Sequence, residues 1–497
     1  MRARLPALVV LAACLWVVAA NVVQGPLLSQ DSESYLLLAQ NLAQHGQYAL
    51  PHVETSPRAL LYGRTHSPAP WPPGYPALTA LLSLTLPLAL AARVVALLGS
   101  LLAVILTAVL ARRLGCSEWG AALAALVFAT APATVLVAPY LWSEPVFTVP
   151  VLLALILLVA DQPSGRRAAL IGLCAAAACL IRYNGVTLVA FLTVAILIQE
   201  RRQPLPRLLR HVVLVGGLPA IAMGGWLLRN RLVTGAFETY RGESTVGLSA
   251  SLMDAAKALV LSFTGSHPQN DLLAALLALC LLPLGVLLLK QWRALPDKRA
   301  LSAAGLILIF PLVHMLLLCV MRTLRDFDPL GPRLLWPALP ALIAAAAAII
   351  QRPLAGSPSS GQAASRAFVA GVVALIFVAG LLTMRENLTH VIPQMRQEAH
   401  RRAEVAASPQ LRPLVQGKRV LVVETWPMTI AQAGEGAVAL WGSSPYVFGI
   451  HQFGQPGPWR DWLKRIDVII AIDPVTFNSP EWQARPLPRG AAVYVRH

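Results

Sequence analysis

The chain has 497 residues, of which 57% are hydrophobic and only 13% are charged. Together with a mean hydropathy of +0.63, this composition excludes an ordinary soluble globular protein and indicates a polytopic membrane protein. The net charge of +17 comes largely from arginines in short loops and in the C-terminal tail, so we expect no nucleic-acid partner.

Apolar runs of about 20 residues, the length that crosses a bilayer, recur along the chain and predict about eleven transmembrane helices. The first run follows Met1-Arg2-Ala3-Arg4, as in a signal peptide, but it is too long for a signal core and is interpreted as a retained span. The predicted spans are 5–23, 90–111, 119–138, 144–160, 168–181, 185–199, 211–228, 272–289, 301–320, 334–350 and 367–384.

The positions of arginine predict the orientation, because Lys and Arg accumulate in short cytoplasmic loops. Basic pairs such as Arg112-Arg113 and Arg201-Arg202 lie where even-numbered spans end. We therefore expect a multi-pass protein of the plasma (inner) membrane with a cytoplasmic N-terminus. An odd number of spans then places both the first long loop and the C-terminal segment on the exoplasmic side.

Two domains are predicted. Residues 1–384 form a transmembrane domain, whose long first exoplasmic loop, 24–89, contains interfacial helices at Tyr35–Leu42 and at 77–89. Proline and glycine dominate from Pro51 to Pro76, which predicts an ordered irregular loop without secondary structure.

Residues 385–497 are less apolar and predict a small exoplasmic α/β domain. The predicted elements are strands at 418–423, 466–472 and 491–495 and a helix at 459–465. The predicted class is thus a polytopic α-helical membrane protein with a long first loop and a small C-terminal α/β domain.

Asp31 is the first candidate for chemistry, because it follows the first span closely in a chain with few acids. A carboxylate at the headgroup plane can act as the base for an acceptor hydroxyl when the leaving group is a lipid phosphate, which departs without a general acid. The structural alternative is that Asp31 caps the helix that follows it.

Glu33 is a second catalytic candidate. On a helix it would point about 200° away from Asp31, whereas in an extended chain both carboxylates could face one site. In that second arrangement the two would also be the metal ligands if a divalent ion is used; no other metal or cofactor is indicated.

Arginine suits a departing phosphate, because its planar guanidinium donates two parallel hydrogen bonds. The candidate phosphate ligands are Arg58, Arg64, His66, Arg182, Arg229 and Arg333. The alternative is solvent exposure for the first three, which lie in the proline-rich loop, and snorkelling to anionic headgroups for the last two. Arg182 stands on the side of the membrane where positive charge is disfavoured, which favours a function.

Glu144 opens the fourth span within Ser143-Glu144-Pro145. The helix dipole favours an acid at this position, so a structural role competes with a place in a substrate pocket.

At these residues the chain resembles the glycosyltransferase C superfamily, in the bacterial branch that includes protein O-mannosyltransferases and lipid A aminoarabinose transferases. The resemblance covers roughly residues 1–350. It rests on the order of short motifs: Asp31-x-x-x-Tyr35, Pro72-Pro73-Gly74-Tyr75-Pro76, Arg93, Ser143-Glu144-Pro145, Arg182, Asp328-Pro329 and Arg333-Leu334-Leu335-Trp336-Pro337.

The resemblance implies that Asp31 is the catalytic base and that the donor is a polyprenyl-phosphate sugar. It also implies that Tyr35, Tyr75 and Glu144 line the donor or acceptor pocket. Arg93 is expected to pair with a carboxylate or to face the same cavity. Some relatives bind a metal through an Asp-x-Asp pair, so Asp31-x-Glu33 leaves a divalent metal cofactor open.

We therefore expect an inverting hexosyl- or pentosyltransferase, embedded among membrane lipids, that moves a sugar from polyprenyl phosphate to a lipid, polysaccharide or protein acceptor on the exoplasmic face. The alternatives are a transporter or flippase for a lipid-linked anion and a noncatalytic scaffold. A transporter predicts ionisable residues inside the spans, where His314 is the main exception to an apolar interior.

Overall fold

The computed structural model describes residues 4–49, 53–54, 71–160, 163–234, 237, 244–265, 298–325, 329–351, 360–406, 408–409, 411–415, 420–423, 437–440, 467–471, 482–486 and 492–496. Most of these residues are helical. The helices are α1 (Arg4–Gln24), α2 (Gln30–His45), α3 (Gly74–Ser83), α4 (Leu88–Arg113), α5 (Glu118–Thr130), α6 (Pro132–Val137), α7 (Glu144–Leu158), α8 (Gly165–Ile181), α9 (Gly185–Gln199), α10 (Leu205–Val212), α11 (Leu218–Thr234), α12 (Leu248–Thr264), α13 (Lys298–Leu324), α14 (Pro332–Leu335), α15 (Leu339–Gln351), α16 (Ser360–Glu386), α17 (Ile392–Ala406) and α18 (Leu411–Val415).

Within the described residues, six helical stretches are long and apolar enough to cross a membrane. They are Arg4–Gln24, Leu88–Arg113, Leu205–Val233, Ala303–Leu324, Pro332–Gln351 and Val369–Gln397. Shorter apolar helices lie at Glu118–Thr130, Glu144–Leu158 and Gly185–Gln199. The predicted class, a polytopic helical membrane protein, is confirmed, and the predicted spans coincide with helices except for 272–289, which lies outside the described residues.

The third predicted span is divided into two helices. Ala131 between them is extended, with a ψ of 137°, and Pro132 opens α6. This break follows from proline, because its ring disfavours the helical conformation of the preceding residue. The chain leaves α6 and reaches the start of α7 through residues 138–143, which belong to the candidate site.

Two compact units divide the chain. The first comprises residues 1–26, 93–224 and 241–390, and the second comprises 27–92, 225–240 and 391–497. In the first unit, α1 packs on α5, α7 on α8, and α15 on both α13 and α5. Alanines are frequent at these contacts, because small side chains let helix backbones approach closely. The predicted domain boundary between 384 and 385 stays a prediction.

The second unit contains α2, α3 and a sheet of six strands. The strands are β1 (Val53–Glu54), β2 (Val420–Val423), β3 (Ala437–Leu440), β4 (Val468–Ala471), β5 (Trp482–Pro486) and β6 (Ala492–Arg496). Their order is β1-β3-β2-β4-β6-β5, with β1 to β4 mutually parallel and β6 antiparallel to both β4 and β5.

Three of the strands match the predicted ones, and the predicted helix 459–465 lies outside the described residues. Strands β1, β3 and β5 were not predicted. Of these, β1 comes from the proline-rich part of the first loop, where no secondary structure was predicted. Val53 and Glu54 pair with Ala439 and Leu440. Two residues of the first loop thus extend the sheet of the C-terminal segment.

Candidate functional site

Helix α7 begins with a carboxylate that is almost fully buried. Glu144 is its first residue, and 1% of its side chain is exposed. Pro145 follows at no cost in hydrogen bonds, since the first N–H groups of a helix have no partner within the helix. An ionised carboxylate at this depth requires groups of opposite charge.

Two arginines from distant segments provide that charge. Nη1 of Arg182 lies 3.1 Å from Oε2 of Glu144 and donates to Ser143 Oγ at 2.7 Å. Arg333 donates through Nε to Oε1 of the same carboxylate. The two oxygens of Glu144 thus contact two guanidinium groups. The side chains of Arg182 and Arg333 are 11% and 19% exposed, so part of each is accessible.

A short turn between α8 and α9 places Arg182. The residue is extended, with φ −147° and ψ 141°, so the chain leaves the axis of α8 after Ile181. It then returns so closely that a Cβ on Gly185 would lie 2.5 Å from the backbone nitrogen of Cys179. Only glycine permits this approach, and the turn between two short helices has the arrangement predicted from the sequence.

Trp142 lies between an aromatic ring and a guanidinium. Its ring stacks on that of Tyr140, with 3.9 Å between centroids and 6° between planes. Cζ of Arg333 lies 4.1 Å from the Trp142 centroid. Tyr140 and Arg333 together occupy the two faces of a planar ring, so Trp142 holds the guanidinium by a cation–π contact rather than offering a platform to a sugar.

Burial raises the pKa of the Tyr140 phenol, and the nearby Arg333 lowers it by a smaller amount. The phenol is therefore neutral at physiological pH. The sequence has no pattern that singles out Tyr140 or Trp142, apart from their position shortly before Glu144.

The segment that follows Arg333 is anchored by a buried tryptophan. Nε1 of Trp336 donates to Thr134 Oγ1 at 2.9 Å, and the Thr134 hydroxyl donates to the Phe128 carbonyl at 2.6 Å. The Trp336 ring is fully buried and lies 5.2 Å from that of Phe128. These contacts fix the position of α14, and hence of Arg333, against α5 and α6.

Arg93 on α4 pairs with an amide rather than with a carboxylate. Its Nε donates to Oδ1 of Asn21 and its Nη2 to the Asn21 carbonyl, both at 2.8 Å. Nδ2 of Asn21 donates in turn to the Ala138 carbonyl at 2.6 Å. The carboxylate partner, one of the two predicted alternatives, is therefore wrong. Arg93 instead provides a second donor to the Asn21 carbonyl, which also accepts from the backbone N–H of Gly25 at 3.1 Å.

In the second unit, Ser29 rather than Asp31 caps α2. Oγ of Ser29 accepts from the backbone N–H of Ser32 at 3.3 Å, and Asp31 lies within the first turn. The alternative interpretation of Asp31 as the N-cap is therefore wrong. Its role as a base stays a prediction.

Asp31 is partly buried and Glu33 is 6% exposed. Because both are helical, their side chains point about 200° apart. They therefore do not chelate one ion together. Within the described part of the chain, no three His, Cys, Asp or Glu side chains come together as a metal site requires. A divalent metal cofactor stays a prediction.

Tyr35 and Tyr75 pack against each other in the core of the second unit. Their rings meet edge to face at 5.1 Å, and the Trp71 ring lies 5.7 Å from that of Tyr35. The Tyr75 hydroxyl donates to the Ala92 carbonyl at 3.2 Å. This packing fixes α2, which bears Asp31, against α3. The pocket role of the two tyrosines stays a prediction.

Arg229 on α11 contacts the first loop. Its Nη2 donates to the Tyr48 carbonyl at 2.8 Å, and its guanidinium lies over the ring of Trp226. The Tyr48 hydroxyl lies 3.0 Å from the Trp71 carbonyl and 3.1 Å from that of Pro72. Residues 48 and 71, which bound the segment 49–70, are thus held together.

Three of the predicted phosphate ligands, Arg58, Arg64 and His66, lie outside the described residues. The structure thus brings together Arg182, Arg333 and Glu144 of the predicted site residues, and it places Arg229 with Tyr48 and Trp226.

No protein-family model and no curated protein matches the sequence. Solved structures, in contrast, match nearly the whole chain. ArnT from Cupriavidus metallidurans bound to undecaprenyl phosphate shares 14% identity, covers 99% of this chain and 97% of its own, and has a TM-score of 0.58. Its apo state has a TM-score of 0.60 at the same identity, with 99% and 98% covered.

Two larger proteins have the same fold. The oligosaccharyltransferase AglB from Archaeoglobus fulgidus, in complex with an inhibitory peptide and a dolichol phosphate, shares 10% identity over 95% of this chain and 69% of its own, with a TM-score of 0.57. The arabinofuranosyltransferase AftD from Mycobacteria shares 14% identity over 99% and 41%, with a TM-score of 0.54. The chain therefore has the fold that these solved structures share, which is the fold expected from the resemblance to the glycosyltransferase C superfamily.

Proposed function

We propose that the protein transfers a sugar from a polyprenyl-phosphate donor to a lipid, polysaccharide or protein acceptor on the exoplasmic face of the plasma membrane. The observation that supports this most is the fold, which matches that of ArnT bound to undecaprenyl phosphate along nearly the full length of both chains. The same fold in AglB was solved with a dolichol phosphate.

The transfer has two requirements: cations for the leaving phosphate and a base for the acceptor hydroxyl. The bond between C1 of the sugar and the phosphate oxygen breaks, and the acceptor oxygen forms a bond to C1 from the opposite face, which inverts the configuration. The phosphate leaves with the electron pair of the broken bond, so its growing negative charge needs cations. The acceptor hydroxyl loses its proton to a base.

Arg182 and Arg333, the arginine pair on Glu144, suit the first requirement, which is cations for the leaving phosphate. Two guanidinium groups that are partly accessible and held in a protein interior attract an anion far more strongly than they would in water. Each guanidinium has five N–H donors, so a contact with Glu144 uses only part of its capacity. Glu144 thus keeps two like charges side by side until phosphate binds.

Asp31 suits the second requirement, which is a base for the acceptor hydroxyl. It is an acid in the first turn of α2, partly buried, and the resemblance assigns the base to this position. A carboxylate that acts as the base accepts the proton of the acceptor hydroxyl as the attacking oxygen develops positive charge in the transition state.

The test uses the purified full-length protein in liposomes with a polyprenyl-phosphate sugar that is labelled in the sugar. We expect the label to move to a lipid or glycan acceptor and polyprenyl phosphate to be released. Asp31→Asn should abolish transfer while expression and binding of the donor persist. Movement of the donor across the bilayer without transfer would instead support the transporter, and neither activity with any donor would support the scaffold.

A further inference from the structure

His314 is a fully buried ionisable side chain within a membrane span, and the proposed chemistry does not use it. It lies on α13 with both ring nitrogens engaged. Nδ1 lies 2.7 Å from Thr187 Oγ1, and Nε2 lies 3.2 Å from the Leu334 carbonyl. The ring of Phe310, one turn earlier on α13, lies 5.8 Å away.

The direction of one of these hydrogen bonds follows from the groups involved. The Leu334 carbonyl can only accept, so Nε2 of His314 carries a hydrogen. At the other nitrogen, the Thr187 hydroxyl is the partner, and the same hydroxyl lies 2.8 Å from the Asn184 carbonyl. The imidazole therefore connects the turn at residue 184 with the backbone at residue 334.

Both connected segments bear an arginine of the candidate site. Arg182 precedes Asn184 in the turn between α8 and α9, and Arg333 precedes Leu334 on α14. Arg182 and Arg333 are already linked through Glu144, which is a charged contact. His314 supplies a second link between the same two segments, made through the backbone and a hydroxyl.

We infer that His314 is a positioning residue that fixes the separation of Arg182 and Arg333 so that both can contact the phosphate of the lipid donor. This inference rests on the proposed function. A bidentate guanidinium contact requires a defined position of the phosphate, and placement errors of about 1 Å are costly when two groups must act together. His314 touches neither the phosphate nor the sugar and acts only through the two segments.

The experiment measures binding of undecaprenyl phosphate and steady-state transfer for a matched set of variants. His314→Leu removes both hydrogen bonds, Thr187→Val removes one of them with little change of shape, and His314→Gln retains a donor for the Leu334 carbonyl. Phe310→Leu is the control for lost packing, because it removes a comparable ring, which contacts Phe191 and His314, but leaves both hydrogen bonds of His314 in place.

We expect His314→Leu to weaken binding of undecaprenyl phosphate about tenfold, since both hydrogen bonds that hold the two segments are lost. The KM for the donor should rise with a smaller change in kcat. Thr187→Val and His314→Gln should each weaken binding about threefold, and Phe310→Leu should lower the melting temperature while leaving donor affinity within about twofold.

Two results would overturn the inference. One is that His314→Leu binds the donor with the affinity of the wild type. The other is that Phe310→Leu loses as much donor affinity, which would mean that His314 contributes only packing. If His314→Leu does not fold, Thr187→Val decides the matter by the same measurement. Failure of the wild type itself to bind undecaprenyl phosphate would instead refute the proposed function, and with it the basis of the inference.

Discussion

Nη1 of Arg182 lies 3.1 Å from Oε2 of Glu144, a carboxylate with 1% of its side chain exposed. Arg333 holds the other oxygen of the same group. One buried carboxylate thus contacts two guanidinium groups from segments that are far apart in the chain. The carboxylate and each arginine therefore have different, measurable roles.

Glu144→Gln should destabilise the protein and make it depend on an added anion. The variant retains the size of the side chain but removes the carboxylate charge that both guanidinium groups contact, which costs about 3 kcal/mol. Undecaprenyl phosphate supplies a negative charge, so it should raise the melting temperature of this variant by more than that of the wild type. Thermal unfolding in one detergent, with and without the lipid, measures both effects.

Glu118→Gln is the matched control for this variant. Glu118 is also the first residue of its helix, α5, but its side chain is exposed to solvent. Its substitution should change stability by less than about 0.5 kcal/mol. If Glu144→Gln melts like the wild type and gains nothing from the lipid, the carboxylate does not hold the two arginines side by side.

Arg333→Lys should lose donor affinity although it keeps the charge. Lysine lacks the planar fork that binds phosphate through two parallel bonds, and it cannot lie flat over the Trp142 ring as the guanidinium does. We expect binding of undecaprenyl phosphate to weaken about tenfold. Arg113→Lys, at an exposed position at the end of α4, should bind like the wild type; equal losses in both variants would show that the effect is not local.

Much of the helical architecture could be predicted from the sequence, because a backbone within lipid must satisfy its own hydrogen bonds and a long apolar run has few alternatives to a helix. The same logic fails where proline intervenes, as at Pro132, and where strands are short. Strand β1 has only two residues, and its partner β3 lies almost four hundred residues later in the chain. Such a pairing leaves no periodic pattern in the loop itself.

The sequence predicted which residues lie at the candidate site, but not which of them contact one another. Arg182 and Arg333 stand out as charges at the ends of apolar spans, yet the bond from Arg333 to Glu144 joins residues 189 positions apart. Only the tertiary packing of the chain brings Arg333 and Glu144 into contact. Arg93 shows the same limit, because the sequence suggested an acidic partner and the structure provides the Asn21 amide.

Gly99→Ala should destabilise the protein by about 1–3 kcal/mol, the usual cost of overpacking. A Cβ at this position of α4 would lie 2.7 Å from the carbonyl carbon of Pro145, so the start of α7, with Glu144, must move. Donor affinity should fall along with stability. Gly224→Ala is the control within α11, since no described atom lies within 4 Å of the place that its methyl group would take, and it should be neutral or slightly stabilising.

A proline in β1 should release the first loop from the sheet of the second unit. In a parallel ladder, alternate residues of an edge strand direct their N–H groups to the neighbouring strand, so only one of Val53→Pro and Glu54→Pro removes a donor to β3. That variant should show faster hydrogen exchange in the peptide spanning Ala437–Leu440, measured by mass spectrometry on the full-length protein. The other variant serves as its matched partner.

The opposite edge of the sheet provides an internal reference for this measurement. Trp482–Pro486 forms β5 and pairs only with β6 among the described strands, so its exchange should be unchanged in both variants. Unchanged exchange at Ala437–Leu440 in both variants would mean that the two-residue pairing contributes nothing to the stability of β3. Faster exchange at Ala437–Leu440 in only one variant would show that the C-terminal segment anchors the loop that follows Asp31. Transfer assays on that variant would then test whether this anchoring supports catalysis.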